Sequence, residues 1–193
     1  FAIHGYVGTS MNQVAEACGL SKATLYHYYR DKDQLLVNIA EGHVSRLRAL
    51  VIEVEAQGLA PEARLRALIR RFVQEYAGAA FAHRVLTEDV KFLGAEDRER
   101  VLGTEREVVA GLARAVAALR PELDRALLAK PLTMLLFGMI NWMFTWMKPD
   151  GALDHEALAP MVADLFLGGL PAVRVPVAAA QAGPVGEAGH ERT

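Results

Sequence analysis

Residues 10–36 read SMNQVAEACGLSKATLYHYYRDKDQLL, and they carry the clearest structural pattern of the chain. Ser10 and Gln13 fit the S-x-x-Q capping box that marks the start of a helix. Gly19 stands where this helix must end, because glycine accepts the left-handed backbone of a tight turn. Ser21 then caps a second helix. The pattern predicts a helix-turn-helix, whose second helix fits the DNA major groove.

Apolar residues at helical spacing predict which side of these helices packs inward. We expect Val14, Ala15 and Cys18 to face inward from the first helix, with Cys18 as core packing rather than a reactive thiol. On the second helix, Leu25 and Tyr28 continue the inward face. The outward face carries side chains that can hydrogen-bond to base edges or contact a thymine methyl, namely Lys22, Ala23, Thr24, Tyr26 and His27.

The segment Gly5 to Leu36 resembles the DNA-binding domain of the tetracycline-repressor (TetR) family. Tyr29 departs slightly from the family pattern, which usually has Phe at this position. The matching residues are Gly5-Tyr6, Thr9-Ser10, Val14-Ala15, Ala17, Gly19-Leu20-Ser21, Thr24-Leu25-Tyr26, Tyr29, Lys32 and Leu35-Leu36.

The resemblance implies roles for individual residues of the predicted DNA-binding domain, residues 1–48, which is called the head. Thr9, Tyr26 and Lys32 are expected to hold DNA phosphates, and the second helix is expected to read bases. The base-reading residues are then Ser21, Lys22, Ala23, Thr24, His27 and Tyr28. The implied partner is a double-stranded DNA operator with palindromic half-sites.

Charge limits how the chain can bind DNA. The formal net charge of the whole chain is −2, so DNA affinity must come from a local patch. Residues 1–48 carry five Lys and Arg residues against four Asp and Glu residues, a net charge of +1. We therefore expect a homodimer that pools two heads. Because the chain begins with Phe1 and the family has a longer first helix, we also expect that some N-terminal sequence is missing.

The whole chain predicts an all-α fold. Residues 1–48 form the DNA-binding domain, 49–171 a ligand-binding and dimerisation bundle, and 172–193 a disordered tail rich in Pro, Gly and Ala. Helical periodicity predicts further helices over about 32–56, 61 onwards, 82–93, 96–119, 131–147 and 154–169, with Pro160 causing a kink or a late start in the last one. A turn is expected at 148–151.

The segment 131–147 is the most apolar part of the chain and raises the question of a membrane span. At 17 residues it lies near the lower length limit, and it holds Thr133, Asn141 and Thr145. We therefore expect no membrane partner. By resemblance, 131–147 and 155–170 supply a four-helix dimer interface. No secretory signal is visible, and a cytoplasmic location is expected.

The resemblance also implies a small-molecule effector bound in the bundle. Candidate lining residues are Phe72, Tyr76, Phe92, Met134, Phe137, Met139, Asn141, Trp142 and Trp146, with ordinary core packing as the alternative for each. The ending Asn141-Trp142, Trp146, Pro149-Asp150-Gly151 and Leu167-Gly168-Gly169-Leu170 is similar to regulators of fatty-acid, steroid or aromatic-acid breakdown. Several of those respond to acyl-CoA thioesters, which suggests an apolar effector of that class. Coenzyme A phosphates would then meet Arg64, Arg66, Arg70, Arg71, His83 and Arg84, which equally fit a solvated helix face.

The sequence leaves two other functional classes to consider, an enzyme and an interaction protein. An enzyme would have to use His83, Glu88 and Asp89, but their spacing places them poorly on one helix face, and the chain has no HExxH or GxSxG motif. We expect neither an enzyme nor a cofactor or metal. A helical, dimeric small-molecule-binding or interaction protein that does not bind DNA remains the alternative.

Overall fold

The computed structural model describes residues 1–147 and 153–175, and all regular structure in these residues is helical. Short 3₁₀ helices at Val90–Phe92 and Leu170–Ala172 follow two of the α-helices. The α-helices in chain order are α1 (Met11–Ala17), α2 (Lys22–Tyr28), α3 (Lys32–Glu55), α4 (Pro61–Gly78), α5 (Ala80–Asp89), α6 (Ala95–Leu119), α7 (Pro121–Arg125), α8 (Ala129–Asn141), α9 (Met143–Trp146) and α10 (His155–Gly169).

Local capping builds the helix-turn-helix as the sequence predicts. Ser10 Oγ accepts the backbone N–H of Gln13 at 3.3 Å, and Gln13 Oε1 accepts the N–H of Ser10 at 2.7 Å, which completes the capping box. Gly19 turns the chain with φ +64°, a value that side chains with a Cβ rarely adopt. Ser21 Oγ then accepts the N–H of Thr24 at 3.0 Å and starts α2.

Two of the inward-facing predictions in the head are wrong. Cys18 is exposed because α1 ends at Ala17, so Cys18 lies past its last turn. Tyr28 is 67% exposed. Tyr29, four residues after Leu25, is rotated closer to the Leu25 direction on a helical wheel than Tyr28 is, and it packs on the small head core instead.

The long helix α3 joins the head to the bundle. Asp31 caps its start by accepting the N–H of Gln34 at 2.8 Å. Its Leu35 belongs to the head core, whereas Leu36 and Val44 belong to the main core. The helix runs without interruption across the expected domain boundary between residues 48 and 49.

The bundle is built from α3, α4, α6, α8 and α10. The main helix pairs are α4 with α10, α3 with α6, and α6 with α8. Fully buried residues such as Phe72, Leu112 and Leu136 fill the centre. The described residues contain no helix that is long and apolar enough to cross a membrane.

Two expectations for the bundle need correction. The segment predicted as one helix over 131–147 is two helices, because α8 ends at Asn141 and α9 begins at Met143. Pro121 starts the short helix α7, as proline fits a first helical turn. Helix α10 begins at His155 and continues through Pro160, so the expected late start is wrong. The expected turn at 148–151 and most of the expected tail, residues 176–193, lie outside the described residues.

Candidate DNA-binding surface and ligand cavity

Helix α2 presents a continuous exposed surface. Only Leu25 of this helix is buried, and it anchors α2 on Met11, Ala15 and Leu35. The residues expected to read bases are all exposed, namely Ser21, Lys22, Ala23, Thr24, His27 and Tyr28. This surface offers hydroxyl, ammonium and imidazole groups together, which are the groups that direct base readout uses.

Contacts within α2 hold several of these side chains in place. The hydroxyls of Ser21 and Thr24 lie 2.7 Å apart. Lys22 Nζ lies 5.7 Å from the ring centroid of Tyr26, and the rings of His27 and Tyr28 meet edge to face at 5.3 Å. The exposed face is therefore partly organised before any DNA is bound.

Three residues are expected to hold phosphates. Tyr26 is exposed on α2, but Thr9 and Lys32 form hydrogen bonds within the head. Thr9 is buried, and its hydroxyl donates to the carbonyl of Gly5 at 2.7 Å. Lys32 Nζ donates to the carbonyl of Tyr6 at 3.0 Å and lies 4.1 Å from the Tyr6 ring centroid. The hydroxyl of Thr9 would have to give up its hydrogen bond to contact a phosphate, whereas the ammonium of Lys32 keeps two further N–H donors.

Most cations of the first 48 residues are paired with carboxylates. Arg30 forms an exposed ion pair with Asp31 at 2.8 Å. The hydrogen bond from the Gln34 N–H, and after it the contact with Arg30, lowers the pKa of Asp31. Arg46 pairs with Glu53 and Glu75, and Arg48 pairs with Glu107. All three of these glutamates lie outside the head. Lys22 is thus the cation that α2 itself offers to DNA.

The N-terminal segment docks on the end of α5. The backbone N–H of Tyr6 donates to the buried carboxylate of Asp89 at 3.3 Å, and the Tyr6 hydroxyl donates to Asp33. The Tyr6 ring stacks on Phe92 with centroids 5.4 Å apart. Burial raises the pKa of Asp89. Tyr6 therefore ties the DNA-binding head to the bundle.

A cavity of about 910 Å³, called the main cavity below, opens along α6 inside the bundle. Its wall is mostly apolar and includes Val44 and Leu47 of α3, Leu86 of α5, and Phe137 of α8. Small residues of α6 leave the space open, namely Ala110, Ala113, Ala117 and Ala118.

Four exposed charged residues line the main cavity, and basic ones outnumber acidic ones among them. Arg106 pairs with Glu99, and Arg114 pairs with Glu55 at 2.9 Å. Lys130 forms no ion pair with the residues that the structure describes. The rim consists of Arg106, Arg114, Lys130 and Asp124, a net charge of +2.

Four polar lining residues of the main cavity interact with one another, and this group, called the polar end, consists of Tyr76, His83, Glu105 and Asn141. The ring of His83 stacks on Tyr76 with centroids 3.8 Å apart. Burial lowers the pKa of His83 to about 4, so the imidazole is neutral at pH 7. Burial also raises the pKa of Tyr76, and the Glu105 charge raises it further. Burial alone raises the pKa of Glu105.

Family models match both parts of this architecture. Residues 1–39 match the model described as bacterial regulatory proteins of the TetR family. Residues 58–170 match the model described as tetracyclin repressor-like, C-terminal domain, which is more than half of the chain. The chain belongs to the TetR family of transcriptional regulators.

Individual TetR-family proteins are similar along most of their length. A TetR-family regulator from Bordetella parapertussis 12822 is 34% identical, with a TM-score of 0.82 over 91% of this chain and 92% of that one. The transcriptional repressor KstR2 of Rhodococcus jostii RHA1 is 26% identical over 177 residues, covering 88% of this chain and 85% of that protein. AibR, described in complex with isovaleryl coenzyme A and operator DNA, is 28% identical, with a TM-score of 0.73 over 85% and 90% of the two chains.

The predicted pocket residues divide into two groups. Tyr76, Met134, Phe137 and Asn141 line the main cavity. The others do not: Phe72 is fully buried in the core, Phe92 and Trp142 line a separate surface cavity beside Tyr6, and Met139 and Trp146 are exposed at the surface. Helix α8 ends at Asn141, so the aromatic residues after it leave the direction that a longer helix would have given them.

Sequence reasoning missed the contribution of α6 to the cavity. Glu105, Arg106 and Arg114 line it, but they were not among the candidates. A helix with small residues at 110, 113, 117 and 118 was the available signal, because small side chains on an inward stripe leave space. Of the basic residues considered for phosphates, His83 lines the cavity but is buried, while Arg66, Arg71 and Arg84 pair with carboxylates elsewhere.

The residues considered for catalysis serve separate partners. His83 is buried beside His43, Glu88 pairs with Arg84 on the surface, and Asp89 binds Tyr6. Within residues 1–147 and 153–175, no group of three His, Cys, Asp or Glu side chains is placed to hold a metal ion. The family points to a transcriptional regulator rather than an enzyme.

Proposed function

We propose that this protein is a homodimeric repressor that binds a palindromic operator through α2 and leaves it when an amphiphilic effector occupies the main cavity. The observation that carries the proposal is that the cavity and the head share helix α3. Its Val44 and Leu47 line the cavity, and its Leu35 packs in the head core. A ligand in the cavity therefore touches the same rigid element that positions the head.

The homodimer is proposed from the outer faces of α8 and α10. Leu135 is 66% exposed and Leu165 is 70% exposed, and Met139 and Met161 are exposed beside them on the same two helices. Large apolar side chains at helical spacing on two neighbouring helices favour burial against a second copy. A dimer is also what the weakly charged head requires, because two copies of α2 would share one operator.

We propose an acyl-CoA thioester as the effector class. The apolar wall suits an acyl chain, and the basic rim of Arg106, Arg114 and Lys130 suits coenzyme A phosphates. The description of AibR, bound to isovaleryl coenzyme A and operator DNA, supports this class. Such an effector releases DNA only if it binds more tightly to the conformation that does not fit the operator.

The test is a binding selection of genomic DNA fragments by the full-length protein, repeated with isovaleryl-CoA, longer acyl-CoA esters and an aromatic acyl-CoA. We expect enrichment of one palindrome and its loss with one or more esters. Enrichment that no ester changes would contradict the thioester class but keep the repressor. If no DNA is enriched while the protein stays dimeric, the alternative of a ligand-binding protein without DNA binding is favoured.

A further inference from the structure

The polar end of the main cavity contains an oxygen atom that lacks a donor. Oδ1 of Asn141 is buried, and no hydrogen bond reaches it from the residues that the structure describes. Asn141 is the last residue of α8 and lines the cavity. Because buried polar atoms in proteins almost always have a partner, this acceptor indicates a binding partner that enters the cavity.

Neighbouring donors are already engaged. Nδ1 of His83 lies 3.3 Å from Nε2 of His43, and a hydrogen bond with the backbone of Asn141 occupies the same imidazole. The hydroxyl of Thr87 donates to the carbonyl of His83 at 2.9 Å. These groups therefore leave no hydrogen for the side-chain oxygen of Asn141.

Glu105 adds a second acceptor to the polar end. It is half-buried in the cavity wall and has no hydrogen bond or ion pair with any residue of the described ranges. The hydroxyl of Tyr76 lies near it, because the Glu105 charge raises the pKa of Tyr76. The polar end thus has two acceptors, Asn141 Oδ1 and the Glu105 carboxylate, that accept no hydrogen bond from the described residues.

We infer that the effector carries a hydrogen-bond donor, a hydroxyl or an amide N–H, on the part that reaches Asn141 and Glu105 at the polar end. This inference rests on the proposed function and deepens it, because it names a chemical group of the effector in the same cavity. A plain saturated acyl chain would present only C–H groups there. It would displace any water from Asn141 Oδ1 without replacing its hydrogen bond, which costs affinity.

The test compares two isomers that differ in the donor alone. Decan-1-ol and nonyl methyl ether have the same atoms and nearly the same length, but only the alcohol has an O–H. Isothermal titration calorimetry of each compound into the full chain measures the preference directly. We expect the alcohol to bind roughly tenfold more tightly, as one satisfied buried acceptor supplies.

Variants assign the preference to Asn141. Asn141→Leu removes the acceptor, so we expect the alcohol-to-ether ratio to fall to about one while the ether still binds. Thr133→Val is the matched control, because Thr133 is a buried polar residue of the same helix whose hydroxyl donates to Ala129 at 2.9 Å. This control should keep the wild-type ratio. Asn141→Asp, which keeps an acceptor, should also keep the preference if Asn141→Leu fails to fold.

Several results would overturn the inference. The inference is wrong if the two isomers bind equally, if the ether binds more tightly, or if neither binds up to its solubility limit. It is also wrong if the preference for the alcohol survives Asn141→Leu. DNA release is measured separately with the same compounds and with the thioester panel. A tenfold alcohol preference without release of DNA by any compound would contradict the proposed repressor switch and leave the donor inference standing.

Discussion

Nε2 of His43 lies 3.3 Å from Nδ1 of His83, and both rings are almost fully excluded from solvent. One imidazole comes from α3 and the other from α5, so the pair joins the helix of the head to the helix that carries Asp89. The pair is held neutral, because burial lowers the pKa of both imidazoles.

This neutral pair predicts loss of stability in mild acid. His83 titrates at about 4 in the folded protein and near 6.5 when unfolded, so the unfolded state binds more protons between these values. The free energy of unfolding should fall as the pH drops from about 6.5 to 4, by up to roughly 1.4 kcal/mol per pH unit from this residue. Urea unfolding at pH 7.5, 6 and 5 measures the slope. His83→Phe should flatten it and the exposed control His4→Gln should not; equal slopes in all three proteins would contradict the prediction.

A glycine contact between α3 and α6 predicts opposite effects for two similar substitutions. A Cβ on Gly111 would overlap Cγ1 of Val51, whereas a Cβ on Gly103 would meet only the flexible end of Arg106. Gly111→Ala should therefore destabilise by about 1–2 kcal/mol, the overpacking cost less the gain in helix propensity. Gly103→Ala should be neutral or stabilise by up to about 1 kcal/mol. Chemical denaturation decides, and Val51→Ala should rescue Gly111→Ala if overlap is the cause.

The exposed lysine of α2 predicts a specific change in DNA binding. Lys22→Ala removes one cation from each head, so operator binding should weaken, and the salt dependence should become shallower because the dimer brings two fewer cations to the DNA. Fluorescence anisotropy with operator DNA between 50 and 300 mM salt measures this. Lys130→Ala, which removes a cation at the cavity rim, should leave the unliganded affinity unchanged. Wild-type affinity and slope in the Lys22→Ala, His27→Ala double variant would show that α2 does not read DNA.

The outer face of α10 predicts how the dimer can be broken. Leu165→Glu places a charge where a second copy is expected to bury an exposed leucine, so the protein should become monomeric and lose operator affinity. Ile52→Glu is the control, because Ile52 is 57% exposed but lies on α3. Sedimentation velocity reports the two masses. A dimeric Leu165→Glu protein would mean that another surface pairs the subunits.

The Tyr6 contact predicts how firmly the N-terminal segment is held. Asp89→Ala leaves the buried N–H of Tyr6 without its acceptor, which costs about 1–3 kcal/mol locally. Amide hydrogen exchange of residues 1–8 should accelerate while exchange in α6 does not. Glu88→Ala, which removes only an exposed ion pair with Arg84, should change neither. Unchanged exchange in Asp89→Ala would show that stacking on Phe92 suffices.

The parts of the fold that follow local rules could be predicted, and those that depend on packing could not. Capping at Ser10 and Ser21 and the turn at Gly19 depend on neighbouring residues, so the sequence correctly predicts where α1 and α2 begin and that a turn separates them. Whether Tyr28 or Tyr29 faces inward depends on a rotation of a few tens of degrees at a helix end. No proline or glycine at residues 141–143 indicates that helix α8 ends at Asn141.

The cavity was harder to predict because it is a property of several helices. The sequence analysis named mainly aromatic residues as the lining of the cavity, whereas alanines of α6 leave its space open. The polar groups that a ligand would meet there include Glu105 and the amide oxygen of Asn141. No single residue type in a sequence indicates a cavity. It can be inferred only when the spacing between α3, α6 and α8 is known.

The length of α3 sets how large a movement at the cavity must be. Its 24 residues make it about 36 Å long, so a tilt of about 5° displaces its far end by about 3 Å. That displacement is close to the 3.4 Å step between base pairs. In the proposed dimer the two ends would move in opposite directions, so their separation would change by nearly two base-pair steps. In the proposed switch, operator release would then need no unfolding and no large rearrangement, only a change of angle imposed by one bound molecule.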